Sequence, residues 1–253
     1  MFTLERQTAI LEYLKVNKSA SISDLSKRFF IGEATIRRDL DKLEKQKLVK
    51  RTYGGAVLVE GLNIEIPISV REKEQALAKD IIGRRAAELV NDGDIIIMDS
   101  STTTYYMIPY LKSKSDITII TNGVKTATSL GNTLHTRVYC TGGKLRENSL
   151  SLVGQGAKDY IKNFSAQKLF FSCRGITPDN GAMDNSEEEA ELRKVMMGCA
   201  EGIILLCDSS KLNKKAFYRI CGLDSLHHIV TDKEPSADIL AALTSGGIKV
   251  LVG

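Results

Sequence analysis

"EATIRRDLDKLEK" (Glu33–Lys45) has no glycine or proline, and its apolar residues Ile36, Leu40 and Leu43 recur at i, i+4 and i+7. That spacing puts one apolar stripe on a helix and leaves the rest of the circumference to solvent or a partner. At about 100° per residue, Arg38, Ala34, Lys45, Lys42 and Thr35 lie opposite the stripe, and Arg37 lies on its flank. The outward face near the helix start thus holds small or basic residues. It is either a solvated face with i, i+4 pairs such as Asp41–Lys45, or a face that meets a polyanion.

The flanking sequence favours the polyanion. "TLERQTAILEYLKV" (3–16) spaces Leu4, Ile10, Leu11 and Leu14 as a helix with Thr3 at its cap, and "SISDLSKRFF" (21–30) reads as a second helix capped by Ser23 with Leu25 and Phe29 inward. The short connection "FIG" leads into the opening helix. Downstream, "LVKRTYGGAVLV" (48–59) is extended, and Gly54–Gly55 can supply the positive φ angles of a tight hairpin. Helix, helix, short turn, helix and β-hairpin is the layout of a winged helix-turn-helix. Charge agrees: residues 1–60 carry 12 Lys/Arg against 8 Asp/Glu, and the remaining 193 carry 23 of each, so the whole net charge of +4 belongs to the first quarter. The candidate DNA contacts are Thr35, Arg37, Arg38 and Lys42 on the helix, with Lys50, Arg51, Tyr53, Gly54 and Gly55 on the wing.

Residues 61–75, with Pro67, read as a linker. From residue 76 to 253 helical stretches alternate with short apolar strands at 94–99, 117–121, 137–141, 168–173, 202–208, 228–232 and 248–252. Strands apolar on both faces and separated by helix-length segments require a doubly wound, mostly parallel α/β sheet. In such a sheet, ligands bind at the carboxyl ends of strands. Four of those ends carry suggestive residues. Asp99-Ser100-Ser101-Thr102-Thr103-Thr104 offers hydroxyls at a helix start, Asn122 opens another helix, Gly142-Gly143-Lys144 permits close backbone approach beside a cation, and Lys211 supplies a point charge. Singly, each is equally a cap, a turn or surface charge. Together at one edge they suit a small phosphorylated ligand.

Five widely spaced cysteines (Cys140, Cys173, Cys199, Cys207 and Cys221) without a C-x-x-C suit reduced thiols in a cytoplasm, and His135, His227 and His228 lack metal-ligand spacing. No metal or cofactor is expected. The start "MFTLERQ" has no apolar signal core and no run approaches a membrane span, so neither export nor a membrane is expected.

"EATIRRDLDKLEKQKLVKRTYGGA" (33–56) resembles the DNA-binding signature of DeoR-type bacterial transcription regulators, in which T-I-R-R-D-L precedes a basic-G-G-A wing. Gly32 stands where that family has a capping Ser, and Tyr53 where it has His. The likeness continues: Asp99–Thr103 matches the family's D-x-G-T-T loop with Ser101 in place of Gly, and Thr121-Asn122, Gly142-Gly143 and Asp208-Ser209-Ser210-Lys211 match its T-N, G-G and D-x-S-K elements. "NGAMDNSEEEAELRK" (180–194) matches its acidic-headed helix, whose Glu187–Glu189 suit helix capping or sugar hydroxyls. The resemblance implies an effector domain with the fold of ribose-5-phosphate isomerase and glucosamine-6-phosphate deaminase that binds a phosphorylated sugar. It implies a repressor of carbohydrate genes, working as a homodimer or homotetramer on double-stranded operator DNA. The alternatives are a sugar-phosphate isomerase or deaminase with an accessory DNA-binding domain, and an architectural DNA-binding protein. For the former, Asp99, Asp184 and Glu187–Glu189 form no acid/base constellation by spacing, so no catalytic residue is assigned.

Overall fold

The computed structural model describes residues 3–46, 48–59, 66–131 and 136–253, without the Leu4 side chain; His135 and residues 61–65 of the expected linker lie outside them. The chain divides into two compact units, Met1–Glu74 and Gln75–Gly253.

The first unit runs α1 (Thr3–Asn17), β1 (Ser19–Ser21), α2 (Ile22–Phe29), α3 (Glu33–Lys45), β2 (Val49–Thr52), β3 (Gly55–Leu58) and α4 (Ile68–Lys73). Its core is Ile10, Leu11, Leu14, Ile22, Leu25, Ile36, Leu40, Leu43, Leu48, Val49, Ala56 and Val70, so the stripe of α3 faces inward as its spacing requires. The strands form an antiparallel sheet in the order β1-β3-β2. Four local expectations are corrected. Thr3 is the first residue of α1 rather than a cap before it. Ser21, not Ser23, caps α2: Ser21 is extended and its hydroxyl accepts from the Asp24 amide, whereas Ser23 already lies inside the first turn. Of the glycine pair only Gly54 has positive φ (87°); Gly55 is needed because a Cβ there would stand 2.2 Å from the Ala20 carbonyl oxygen of β1. Residues 68–73, read as linker, are helical, and Val70 is fully buried.

The second unit continues with α5 (Ala76–Ala87), β4 (Ile95–Met98), α6 (Thr102–Tyr105), α7 (Ile108–Leu111), β5 (Ile117–Thr121), α8 (Val124–Leu130), β6 (Thr136–Cys140), β7 (Lys144–Arg146), β8 (Ser151–Val153), α9 (Gln155–Ile161) and β9 (Ala166–Ser172). It ends with β10 (Gly175–Thr177), β11 (Gly181–Asp184), α10 (Glu187–Met197), β12 (Ala200–Leu206), β13 (Tyr218–Cys221), β14 (His228–Thr231), α11 (Ala237–Ser245) and β15 (Lys249–Val252). The seven strands expected from the sequence form one sheet, ordered β15-β14-β12-β9-β4-β5-β6 and parallel throughout. Alternate residues feed separate cores. Ile96, Met98, Ile119, Phe170 and Ile204 pack with α5, α7 and α8 on one face; Ile97, Ile120, Phe171 and Leu205 pack with α9 and α10 on the other. That is a doubly wound sheet. Progress along the sheet reverses between β4 and β9, which makes their carboxyl ends the switch point where such folds hold ligands. The hairpin β7–β8 and the antiparallel sheet β10-β11-β13 were not foreseen; each strand has only three or four residues, too few to show an alternation.

Candidate functional site

On α3 the rotation about the helix axis is fixed from within. Asp39 is buried on the core side, where its carboxylate accepts from the Arg6 guanidinium and, at 3.1 Å, from the Gln7 amide, both on α1. This pins α3 against α1 and turns Arg37, Arg38 and Lys42 outward. Among the described residues Arg38 makes only long local contacts, 3.4 Å from Nε to the Ala34 carbonyl and 3.3 Å from Nη2 to Thr35 Oγ1, so its guanidinium can exchange them for a partner. Arg37 donates to Glu33 at 2.8 Å, which suits its flank position. Lys42 and Lys50 are exposed, and Tyr53 stands fully exposed beside Gly54 in the two-residue turn between β2 and β3. Arg51 is different. Its guanidinium pairs with Asp41 and donates to the Arg37 carbonyl at 3.3 Å, while its amide donates to Glu44 Oε1 at 2.7 Å. Asp41 therefore holds the wing to α3 instead of pairing with Lys45.

At the switch point the loop after β4 is buried from Asp99 to Thr104. Much of its hydrogen bonding is internal. Ser101 caps α6 by accepting from the Thr104 amide, and Thr104 donates toward Asp99 and Ser101. Ser101 has φ −71°, so nothing at this position calls for glycine. α6 has only four residues, which leaves little dipole to hold an anion, and the site's charge must come from side chains. Lys211 brings it. From the 3₁₀ turn after β12 its Nζ reaches Thr103 Oγ1 at 3.3 Å, Ser172 Oγ at 3.0 Å and Asp208 at 3.1 Å. Burial alone would raise the Asp208 carboxyl; Lys211, Ser210 and Lys79 outweigh it and hold the group below its ordinary value.

Asn122, at the end of β5, points its amide nitrogen at Ser100 Oγ (3.4 Å) and the Leu152 carbonyl (3.2 Å), and its buried Oδ1 has no hydrogen-bond partner among the described residues. The structure thus gathers Ser100, Thr103, Asn122 and Lys211. Gly143, at φ 121°, lies where a Cβ would stand 2.5 Å from the Val153 carbonyl oxygen, so glycine there lets the chain entering β7 approach β8. Lys144 is largely exposed and pairs with Glu188 at 3.1 Å.

Three residues at this edge were missed by sequence reasoning. Arg193 is buried and bridges Asp99 (2.8 Å), Asp184 (2.9 Å) and Glu189 (3.7 Å). Burial lowers the guanidinium pKa, yet these three carboxylates raise it further, so it stays charged. Ser172, at the end of β9, donates its amide to Asp99 and its hydroxyl to the Leu206 carbonyl. Arg146 approaches Glu189 at 3.3 Å, and Glu189 also takes a hydrogen bond from Ser151 and lies 3.4 Å from Ser100. Glu189 therefore faces the loops, not the helix end. Its i, i+4 spacing from Arg193 was the one available signal, and it looks like any surface helical pair.

Two family models match the chain: a DeoR-like helix-turn-helix domain over residues 6–61 and a DeoR C-terminal sensor domain over residues 74–233. The uncharacterized HTH-type transcriptional regulator YulB of Bacillus subtilis is 38% identical over 99% of this chain and 96% of its own length. The putative aga operon transcriptional repressor of Escherichia coli O157:H7 is 32% identical over 99% of this chain and 94% of its own, and the HTH-type transcriptional repressor GlcR of B. subtilis is 32% identical over 100% and 97%. Among solved structures, ribose 5-phosphate isomerase A of Methanocaldococcus jannaschii is 14% identical over 54% of each chain, with a TM-score of 0.40. No described helix is long and apolar enough to cross a membrane. With both family models matched and relatives aligned over nearly the full length, the chain belongs to the DeoR family of transcriptional regulators.

Proposed function

We propose that the chain is a repressor whose first unit binds double-stranded operator DNA and whose second unit binds a phosphorylated sugar that changes that affinity. The observation that carries the effector half is the position of Lys211: its ammonium lies against Thr103 and Ser172 at the switch point of the parallel sheet. A cation beside hydroxyls suits a phosphate. Asn122 Oδ1, buried and without a hydrogen-bond partner among the described residues, is an acceptor suited to a sugar hydroxyl. Ser100, Thr102 and Thr103 with Lys211 are then the phosphate side, while Asp99, Ser101 and Thr104 shape the loop. The names of two of the full-length relatives above, the putative aga operon transcriptional repressor and the transcriptional repressor GlcR, support the direction of control. On the DNA side Thr35, Arg38 and Lys42 read the major groove, Arg37, Lys50, Tyr53 and the Gly54–Gly55 turn lie along the backbone, and Arg51 orients the wing. A two-fold operator calls for a homodimer or a pair of them.

For the sugar phosphate to act, it must bind the DNA-competent and DNA-incompetent forms unequally. A thermal-shift screen of phosphorylated sugars, followed by operator titration with any hit, tests this. A ligand at 100 times its Kd adds about 2.7 kcal/mol and raises the melting temperature. Lys211→Ala is expected to abolish that shift, and the hit is expected to alter operator affinity in the wild-type chain alone. A shift that survives in Lys211→Ala overturns the site, and turnover of the hit favours the isomerase reading.

A further inference from the structure

Phe30 combines two unfavourable features. It is 95% exposed, and it has φ 54°, ψ 45°, the left-handed conformation that bulky side chains avoid. The conformation has a local cause: α2 ends there, with the Phe30 and Ile31 amides both turning back to the Ser26 carbonyl. Glycine or asparagine performs that helix-ending task with less strain. The side chain brings nothing back to the folded unit, because the core takes Phe29 and Ile31 on either side and leaves the Phe30 ring outside. An exposed apolar residue alone needs no explanation. One placed where its backbone is also strained does, because a polar or small residue would be more stable on both counts.

The surroundings specify the partner. Phe30 lies two residues before Gly32, the N-cap of α3, and Gly32, Glu33 and Ala34 are exposed as well. Exposed cations stand on both sides along the chain: Lys27 and Arg28 in the last turn of α2, Arg37 and Arg38 on α3. An apolar ring between two cationic clusters fits a polyanion that also presents apolar edges. Duplex DNA does so, with deoxyribose between successive phosphates.

We infer that Phe30 is an apolar DNA contact, packing on a deoxyribose of the strand beside the N-terminus of α3 while the flanking cations take the neighbouring phosphates. The inference rests on the DNA-binding reading of the first unit. It identifies a contribution to affinity that charge does not supply.

The test uses the full chain and a duplex that the wild-type protein selects from a randomised pool, with Kd measured by fluorescence anisotropy at several salt concentrations. Phe30→Asn accepts the left-handed backbone, so the melting temperature of the first unit is expected to rise. Its affinity is expected to fall about tenfold, the size of covering most of one phenyl ring. The slope of log Kd against log salt is expected to stay at the wild-type value, because no cation is lost. Phe30→Tyr, which keeps the ring, retains wild-type affinity. Wild-type binding by Phe30→Asn overturns the inference, and so does a loss accompanied by a lower melting temperature. Arg38→Ala separates the two levels. If Arg38→Ala loses affinity and Phe30→Asn does not, only the Phe30 contact fails; if neither loses any, the reading of α3 fails as well.

Discussion

The outer face of α3 and the carboxyl edge of the parallel sheet are both rich in polar side chains, but they are organised in opposite ways. Among the described residues, Arg38 on α3 has only two long local contacts, and the exposed Lys42 on α3 and Lys50 on β2 have no ion pair. At the sheet edge the charged groups are buried and bonded to one another, with Arg193 serving three carboxylates at once. On the function proposed above, the difference follows from what each surface meets. DNA is a large, regular polyanion that keeps most of its own hydration, so an exposed cation suffices. A small ligand must be recognised in a nearly closed site, where each group needs a fixed direction before the ligand arrives. Fixing them uses up most of the polar atoms, and the set proposed for the ligand is short: Lys211, Thr103, Ser100 and Asn122.

The sharpest way to break this contrast is to remove the internal cation. Arg193→Met leaves Asp99, Asp184 and Glu189 buried without their shared partner, and is expected to cost about 3–5 kcal/mol in denaturant unfolding of the second unit. A loss under 1 kcal/mol, roughly the scale of an exposed pair, means that the network does not set the site. A comparable backbone constraint exists in the first unit. Gly55→Ala drives a Cβ into the Ala20 carbonyl and is expected to cost about 2–3 kcal/mol. Gly54→Ala meets no atom within 4 Å and bears only its φ of 87°, about 1 kcal/mol. Equal melting temperatures for the two variants would show that β1 does not close on the wing as described.

What could be read from the sequence divides along the same line. The inner strands of the large sheet were legible because burial on both faces makes each a run of apolar residues, as in "DIIIMD" and "GIILLCD", whereas the edge strands β6 and β15 are only partly buried. The outward side of α3 was legible because one helix carries its own period. Arg193 was not, because Asp99 lies 94 residues away and nothing local announces the pairing. Arg51 shows the same limit: on a wing it looks like a phosphate contact, and only the fold shows that it also pairs with Asp41. Composition reports charge, and only the fold reports which charges are already neutralised.

Arg38 and Arg51 turn that last point into a measurement of intermediate size. Arg38→Ala is expected to lose about 1–3 kcal/mol of specific operator affinity with little change in stability, whereas loss of a phosphate contact at Lys50 lowers the salt slope by about one unit. Arg51→Ala is expected instead to loosen the wing, seen as faster hydrogen exchange in β2. A clean change of salt slope in Arg51→Ala, with exchange unaltered, would place Arg51 among the direct contacts.

The smallest expected effect tests whether the sheet edge is charged before any ligand arrives. Asp208 is buried, yet Lys211 and Ser210 hold its carboxyl below the ordinary range. A carboxyl with a depressed folded pKa contributes stability above the ordinary carboxylate range and loses it as pH falls through the depressed value. Asp208→Asn keeps the shape and removes the charge. The variant should therefore be less stable than the wild type at neutral pH, by about 1 kcal/mol, and the two should converge as acid protonates Asp208 in the wild type. If the gap is instead independent of pH, Asp208 contributes through packing alone, and Lys211 is positioned by Thr103 and Ser172 without its carboxylate.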